Sequence, residues 1–350
     1  MVRTVTFAIP GDLTTPTGGY FYDQRMIAEL QRLGWEIDVV NLGENFPWPT
    51  PEQRAAAHDR LALAPPERPI VIDGLAYGAL PEWAERQSSR NPLIALVHHP
   101  LVLETGLSEA QVSTLRASER RALAAAARIV TTSPTTARLL AADYGAPTDR
   151  IIVARPGNDR APAATGSRDG LVRLLSVGTV SKRKGFDVLI AALASLTYLP
   201  WRLSIAGDRS RDPQAAAQLD VDIRCHGFED RVAVLGAVPR PRILELFADA
   251  DVFALASRFE GYGMAYSEAI AYGLPIVGTT AGAIPETVPD GAAFLVAPDD
   301  VEALSRALRR VVEDPTTRSR MAAAARNAAP TLPRWEDSAK AFSSAIEAAK

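Results

Sequence analysis

Cysteine is almost missing from this chain: Cys225 stands alone, so no disulfide framework can form within it. Histidine is scarce as well, with 4 in 350 residues, which leaves little material for a histidine-rich metal centre. No apolar run approaches the roughly 18 residues that a spanning helix needs. The opening Met1-Val-Arg-Thr-Val-Thr-Phe-Ala-Ile-Pro10 is too short and too interrupted by threonine for a signal-peptide core. Positive charge is not in excess: 38 Lys and Arg against 41 Asp and Glu give a formal net charge of −3. Such a chain has no global field to hold nucleic acid or an anionic bilayer, so any phosphate site must be local. These absences lead us to expect a cytoplasmic protein with no nucleic-acid partner.

What is present is ordinary globular composition, 47% hydrophobic and 23% charged. The length exceeds that at which one hydrophobic core usually stops growing, so two domains are expected. Short apolar, β-rich runs alternate with helical patterns: Val5–Ile9, a helix over Tyr20–Leu33, Ile37–Asn41, Ile70–Ile72, Leu93–Val97, Ile129–Thr132 and Ile151–Ala154. This order reads as βαβ units on a parallel sheet. The small, polar stretch Arg160–Gly170 reads as a linker. The same grammar then restarts with Val172–Val177, a helix over Phe186–Leu196, Arg202–Ala206, Val232–Leu235, Val252–Ala256, Ile276–Gly278 and Ala293–Val296. The fold class expected is α/β, with an N-terminal domain over 1–160 and a C-terminal domain over 161–332. A C-terminal helix over 333–350, set off by Pro330 and Pro333, is expected to pack back on the first domain.

A peripheral membrane contact needs only a surface patch. The stretch Thr114–Val130, with Arg116, Arg120, Arg121 and Arg128 among alanines and leucines, reads as either a basic surface helix or an ordinary packing helix, and the packing reading is preferred.

In doubly wound sheets the chemistry sits in loops beyond the carboxyl ends of the strands. The most informative loop begins Ser257-Arg-Phe-Glu260-Gly261-Tyr262-Gly263-Met264 and runs into a helix carrying Glu268 and ended by Gly273. Its glycines let backbone approach a ligand closely, and the first-turn amides of the helix can receive a diphosphate. Glu260 and Glu268 are acceptors suited to sugar and ribose hydroxyls.

This segment resembles the Glu-x7-Glu signature of family-4 glycosyltransferases (glycosyl transferases group 1). Ser176-Val-Gly178-Thr-Val-Ser-Lys-Arg183-Lys184-Gly185 resembles that family's glycine and basic-pair element. Leu203-Ser-Ile-Ala-Gly207-Asp208 and Thr280-Ala-Gly282-Ala-Ile-Pro-Glu286 also fall where the family has its next strand end and its Gly-Gly-x-Pro-Glu turn. The resemblance covers nearly the whole second half. It implies the GT-B fold, two Rossmann-like parallel-sheet domains facing a central cleft, and a retaining transfer of a hexose-type sugar from a nucleoside-diphosphate sugar to an acceptor hydroxyl. A polysaccharide or lipid-linked glycan precursor is the acceptor class that family habit suggests. Lys184 matches the family lysine that binds the diphosphate; the usual arginine after Gly178 is Thr179 here, which leaves Arg183 or an unassigned residue to supply the second positive charge.

In the first half, Pro10-Gly-Asp-Leu-Thr-Thr-Pro-Thr-Gly18-Gly19-Tyr20 resembles the family's N-terminal glycine loop, and His98-His99-Pro100 follows a strand where the family often places a histidine that touches the transferred sugar. His98 is the better match, with His99 kept open. The catalytic set implied is Glu260, Lys184 and His98, and the substrate-binding set is Gly18, Gly19, His99, Gly178, Arg183, Gly261, Tyr262, Gly263, Met264 and Glu268.

No resident cofactor or metal is expected. His58 and His226 lie at unrelated spacings, and Asp249-Ala-Asp251, although it has Asp-x-Asp spacing, precedes its strand instead of following it. Asp220-Val-Asp222 has the same spacing. A nicotinamide-dependent oxidoreductase is disfavoured because Gly261-x-Gly263 lacks its third glycine, Tyr266 standing in that place. A sugar-nucleotide epimerase and a catalytically inactive nucleotide-sugar-binding module remain as alternatives.

Overall fold

The computed structural model describes residues 3–104, 106–167 and 169–349; Met1, Val2, Thr105, Arg168 of the expected linker and Lys350 of the C-terminal helical pattern lie outside the described residues. The chain divides into two compact units, one of Met1–Thr15, Gly19–Gly157 and Pro333–Lys350, the other of Pro16–Gly18 and Asn158–Leu332.

The first unit holds β1 (Arg3–Ile9), β2 (Trp35–Asn41), β3 (Ile70–Asp73), β4 (Leu93–Val97), β5 (Arg128–Thr131) and β6 (Ile151–Val153), in the order β2-β1-β3-β4-β5-β6. Every pairing is parallel. Helices cover both faces of such a sheet, so its inner strands are apolar throughout instead of alternating, and all of β3 and β4 is buried. The helix Trp335–Glu347 belongs to this unit. Phe342 stacks on Phe7 of β1 with ring centroids 6.2 Å apart, and the Trp35 indole donates to Ser343 Oγ at 2.9 Å.

The second unit holds β7 (Val172–Val177), β8 (Trp201–Ala206), β9 (Val232–Gly236), β10 (Val252–Ala254), β11 (Ile276–Thr279) and β12 (Ala293–Val296), in the order β12-β11-β10-β7-β8-β9, again all parallel. Numbered within the unit this is the 3-2-1-4-5-6 order, whose direction of winding reverses between β7 and β10. In the first unit the reversal falls between β1 and β3. At each reversal the flanking loops part and leave a crevice at the strands' carboxyl ends, which is where a ligand fits.

Two readings of the sequence change. Thr114–Val130 is not one helix: the helix Glu109–Ala124 ends before Arg128, which opens β5. The alanines at 124–127 extend helical propensity past its end, but β-branched Ile129, Val130 and Thr131 pair with β4 and β6. That helix turns Leu115, Ala122 and Leu123 inward, and Arg121 pairs with Glu82 and Glu85, each at 2.9 Å. Arg121 is thus bonded within the unit. No helix among the described residues is long and apolar enough to cross a membrane.

The linker stretch is also more ordered than its composition suggests. Ala164 N donates to Tyr272 O, Thr165 N to Ala248 O and Ser167 N to Asp251 Oδ1, so it runs along the second unit, and the boundary between units falls at Gly157 and Asn158. Asp251 uses its other oxygen, Oδ2, to accept from Arg173 N at 2.8 Å. This carboxylate of the Asp-x-Asp element therefore holds backbone. We expect Asp251→Ala to lower the unfolding free energy by about 2 kcal/mol in urea titration, the cost of leaving two amides unmatched.

Candidate active site

The second unit's site is built from the two loops that leave β7 and β10 on either side of the winding reversal. After β7 the chain passes Gly178, makes a single 3-10 turn over Lys182–Lys184, and reaches Gly185 at φ 66°. A Cβ at Gly185 would lie 2.0 Å from the carbonyl oxygen of Ala256, so only glycine lets this loop close against the exit of β10. Gly207, just after β8, is as confined, since a Cβ there would sit 1.8 Å from the Gly178 carbonyl oxygen, whereas a Cβ on Gly178 itself would meet the Lys184 side chain at 3.2 Å.

The β10 loop carries Glu260, 6% exposed. Its Oε1 accepts from Lys184 Nζ at 2.7 Å and from Ser257 Oγ at 2.6 Å, and Oε2 lies 3.8 Å from an Arg183 guanidinium nitrogen. Arg183 also donates to Phe259 O at 3.1 Å, and Arg258 N donates to Arg183 O at 2.7 Å, so the two loops are laced together by backbone as well as by charge. The main chain of Glu260 is fixed from behind, where Ala283 N donates to its carbonyl and Gly282 at φ 57° leaves room that any Cβ would fill. Burial pushes the Glu260 carboxyl up, but the charges of Lys184 and then Arg183, with the bonds from Lys184 and Ser257, outweigh it and hold the group below its ordinary range. Glu260 is ionised at neutral pH.

Gly261, Tyr262 and Gly263 follow. Tyr262 is buried and its carbonyl accepts from Thr287 Oγ1 at 2.6 Å. Gly263, at φ 92°, turns the chain into the helix Met264–Ala271, whose Tyr266 hydroxyl donates to Leu255 O and ties the helix to the strand exit. Glu268 lies on that helix and pairs with Arg240 at 2.6 Å. The structure thus brings Glu260, Lys184 and Arg183 into one cluster with Gly178 and Gly185 behind it. Glu268 sits one helix turn further along, with a partner of its own. Ser257 and Arg240 were not singled out from sequence; the first is part of the signature loop, whereas nothing marks the second.

Gly18 and Gly19 open the helix Gly18–Arg32, which lies in the first unit from Gly19 onward, and there His98 follows β4 directly. A Cβ on Gly19 would sit 3.5 Å from the His98 ring. His98 Nε2 lies 3.2 Å from Asp23 Oδ1 on the helix and 3.3 Å from Asp73 Oδ2 at the end of β3. His99 points elsewhere, its Nε2 2.6 Å from Glu104 Oε1. Asp23, Asp73 and His98 are the one place among the described residues where three His, Cys, Asp or Glu ligand atoms converge, with the ring nitrogen within hydrogen-bond reach of both carboxylates. The sequence marked His98 but neither acid, although Asp73 closes the apolar run Ile70-Val-Ile just before Gly74.

Lys184→Met would leave the buried Glu260 charge with Arg183 alone, and should cost about 3 kcal/mol in urea titration at pH 7. The Lys184→Met, Glu260→Gln double variant should recover most of it. Because the folded-state value of Glu260 lies below its ordinary 4.5, its contribution is present above that pH and is lost as pH falls through the folded value. The single variant's cost should therefore shrink on acidification below about pH 4.5.

Residues 158–328 match the family model described as glycosyl transferases group 1. Among curated relatives, the D-inositol 3-phosphate glycosyltransferase of Xylanimonas cellulosilytica is 33% identical over 241 residues, covering 64% of this chain and 57% of that protein. The glycogen synthase of Mycobacterium tuberculosis is 33% identical over 213 residues, covering 59% and 50%. The chain spans about half the length of the curated relatives it matches. Among solved structures, sucrose-phosphate synthase from Thermosynechococcus elongatus superposes with a TM-score of 0.81 at 20% identity, covering 97% of this chain and 98% of that one. Anabaena HepE, solved in complex with UDP-glucose, gives 0.78 at 18%, covering 98% and 99%. The fold is that of the GT-B glycosyltransferases. Residues 158–328, which carry the Glu260 site, are thus the part of the chain that resembles the glycosyl transferases group 1 family.

Proposed function

We propose that this chain is a retaining, metal-independent glycosyltransferase that moves a hexose-type sugar from a nucleoside-diphosphate sugar to an acceptor hydroxyl. The observation that carries this reading is the Lys184–Glu260 contact at the winding reversal, 2.7 Å long, with Arg183 beside it. It gathers two cations, the charge that a diphosphate calls for, beside an ionised carboxylate of the kind that orients sugar hydroxyls.

The transfer breaks the bond between the sugar's anomeric carbon and the phosphate oxygen, and forms one from that carbon to the acceptor oxygen on the same face. The acceptor proton passes to the departing phosphate, so no protein nucleophile is needed. Lys184, Arg183 and the first-turn amides after Gly263 stabilise the charge that develops on the leaving diphosphate. Glu260, held as an anion by Lys184 and Ser257, orients the sugar; Glu268, a carboxylate on the helix that follows, takes the ribose hydroxyls. Gly178, Gly261, Tyr262 and Met264 line the same binding reading, and His98, with Gly18 and Gly19, serves the sugar end. The names of the curated relatives support glycosyl transfer, and the UDP-glucose held by HepE supports a nucleotide-sugar donor. The acceptor assigned on this reading is a polysaccharide or lipid-linked glycan precursor, met at the inner face of the membrane.

A panel of nucleotide sugars tested by thermal shift and then by donor hydrolysis should single out one donor, with UDP-glucose the first to try. Silence across the panel would remove the proposal. With the active donor, Glu260→Ala should keep its fold by circular dichroism and lose at least about a hundredfold in turnover; near-normal turnover would strip Glu260 of its role.

A further inference from the structure

The winding reversal of the first unit also carries a cluster, and its charge has the opposite sense. Gly19 opens the helix after β1, Asp73 closes β3 and His98 follows β4, so all three stand at the carboxyl ends of strands around the β1/β3 crevice. Asp23 is completely buried, and its Oδ2 has no hydrogen-bond partner among the described residues. Asp73 spends Oδ1 on capping Leu75 N at 2.8 Å and turns Oδ2 to the ring. Gly19 covers the Nε2–Cδ2 edge of the imidazole, and the Tyr22 ring meets it edge-on with centroids 5.3 Å apart. Thr132 fixes the backbone by donating to the His98 carbonyl. The side chain nevertheless keeps 20% of its surface exposed, and Nδ1 is the ring nitrogen that the two carboxylates leave unused.

We infer that Asp23 and Asp73 are positioning residues that clamp Nε2–H and hold His98 as a fixed imidazolium, reserving Nδ1–H as a donor to a neutral sugar hydroxyl. Two carboxylates around one imidazolium carry a net negative charge, which repels a phosphate and leaves a hydroxyl oxygen as the fitting acceptor. The titratable groups that face the ring are Asp23 and Tyr22 from the helix and Asp73 from the end of β3. Burial alone would drive the ring neutral; Asp23 and then Asp73 outweigh it and raise His98 to about 10, while its own burial raises Asp23 to about 6. The identity of the hydroxyl rests on the proposed sugar transfer; the state of the ring does not.

The test is a pH titration of the imidazole nitrogens of the full chain by proton–nitrogen NMR, with the His98 signals assigned from their loss in His98→Gln. Wild-type His98 should remain an imidazolium through pH 8, and Asp73→Asn, which keeps an oxygen for the Leu75 cap, should lower its midpoint by more than one unit. Asp23→Asn is the second variant and should act in the same direction should the first fail to fold. In transfer assays Asp73→Asn should lose about tenfold between pH 6.5 and 8.5 while the wild type stays level, and Asp73→Glu should restore the level profile. A wild-type midpoint near 6.5, or one unmoved by both variants, overturns the inference. So does stoichiometric zinc chloride shifting the Nε2 signal in wild type and not in Asp73→Asn, which would make the cluster a metal site. Absence of any transfer would defeat the proposed function and leave the NMR result to decide this one.

Discussion

The arrangement of the second unit depends on one contact, the ion pair of Lys184 and Glu260 across the reversal between β7 and β10. A buried carboxylate without a partner costs several kcal/mol, so the loop bearing Glu260 is stable in this conformation only while the loop bearing Lys184 is in its own. Each loop is then shaped by the demand. Gly185 must adopt a left-handed conformation with no Cβ, because the Ala256 carbonyl occupies that space. Gly282 must do the same behind Glu260. Ser257 completes the carboxylate's bonding from within its own loop. A buried pair of this kind adds little net stability compared with apolar packing; what it fixes is the position of two opposite charges at the one crevice the strand order leaves open.

The strands were legible because both faces of each sheet are covered. A strand buried on both sides is apolar along its length, and Leu93–Val97 has in the structure the bounds that its run of Leu, Ile, Ala and Val indicates. The exceptions arise where composition and tertiary pairing disagree. Alanines at 124–127 continue a helical pattern that the chain abandons to pair β5 between β4 and β6. The small, polar residues after Arg160 read as a free tether, but Ala164, Thr165 and Ser167 find partners on Tyr272, Ala248 and Asp251, more than 80 residues away. Nothing local encodes those partners.

The same distinction divides the site. Glu260, Gly261, Gly263 and Glu268 stand within one short stretch, so a strand, a glycine loop and a helix start can be recognised together. Lys184 and Glu260 are 76 residues apart, and their contact is a property of strand order, not of either segment. Arg240 opens a helix after β9 in a segment with no glycine or acid beside it, and only the fold brings it to Glu268. Thr179, where the resemblance calls for an arginine, left open which residue supplies a second positive charge; the structure puts the Arg183 guanidinium 3.8 Å from Glu260, four residues further along the same loop. Asp23 was invisible for the opposite reason, since a lone acid on a helix reads as solvated surface until the fold buries it completely.

The two clusters differ most in sign, and that difference assigns them different work. Lys184, Arg183 and Glu260 sum to one net positive charge, set against helix amides that add more, which suits a dianionic group that must leave with its charge stabilised. Asp23, Asp73 and His98 sum to one net negative charge around a cation whose free N–H is its only outlet. A group placed there gains a directed hydrogen bond but no Coulombic reward for being an anion, so the cluster discriminates against phosphate while still ordering a hydroxyl. Within each unit that preference comes from charges that burial keeps water from screening.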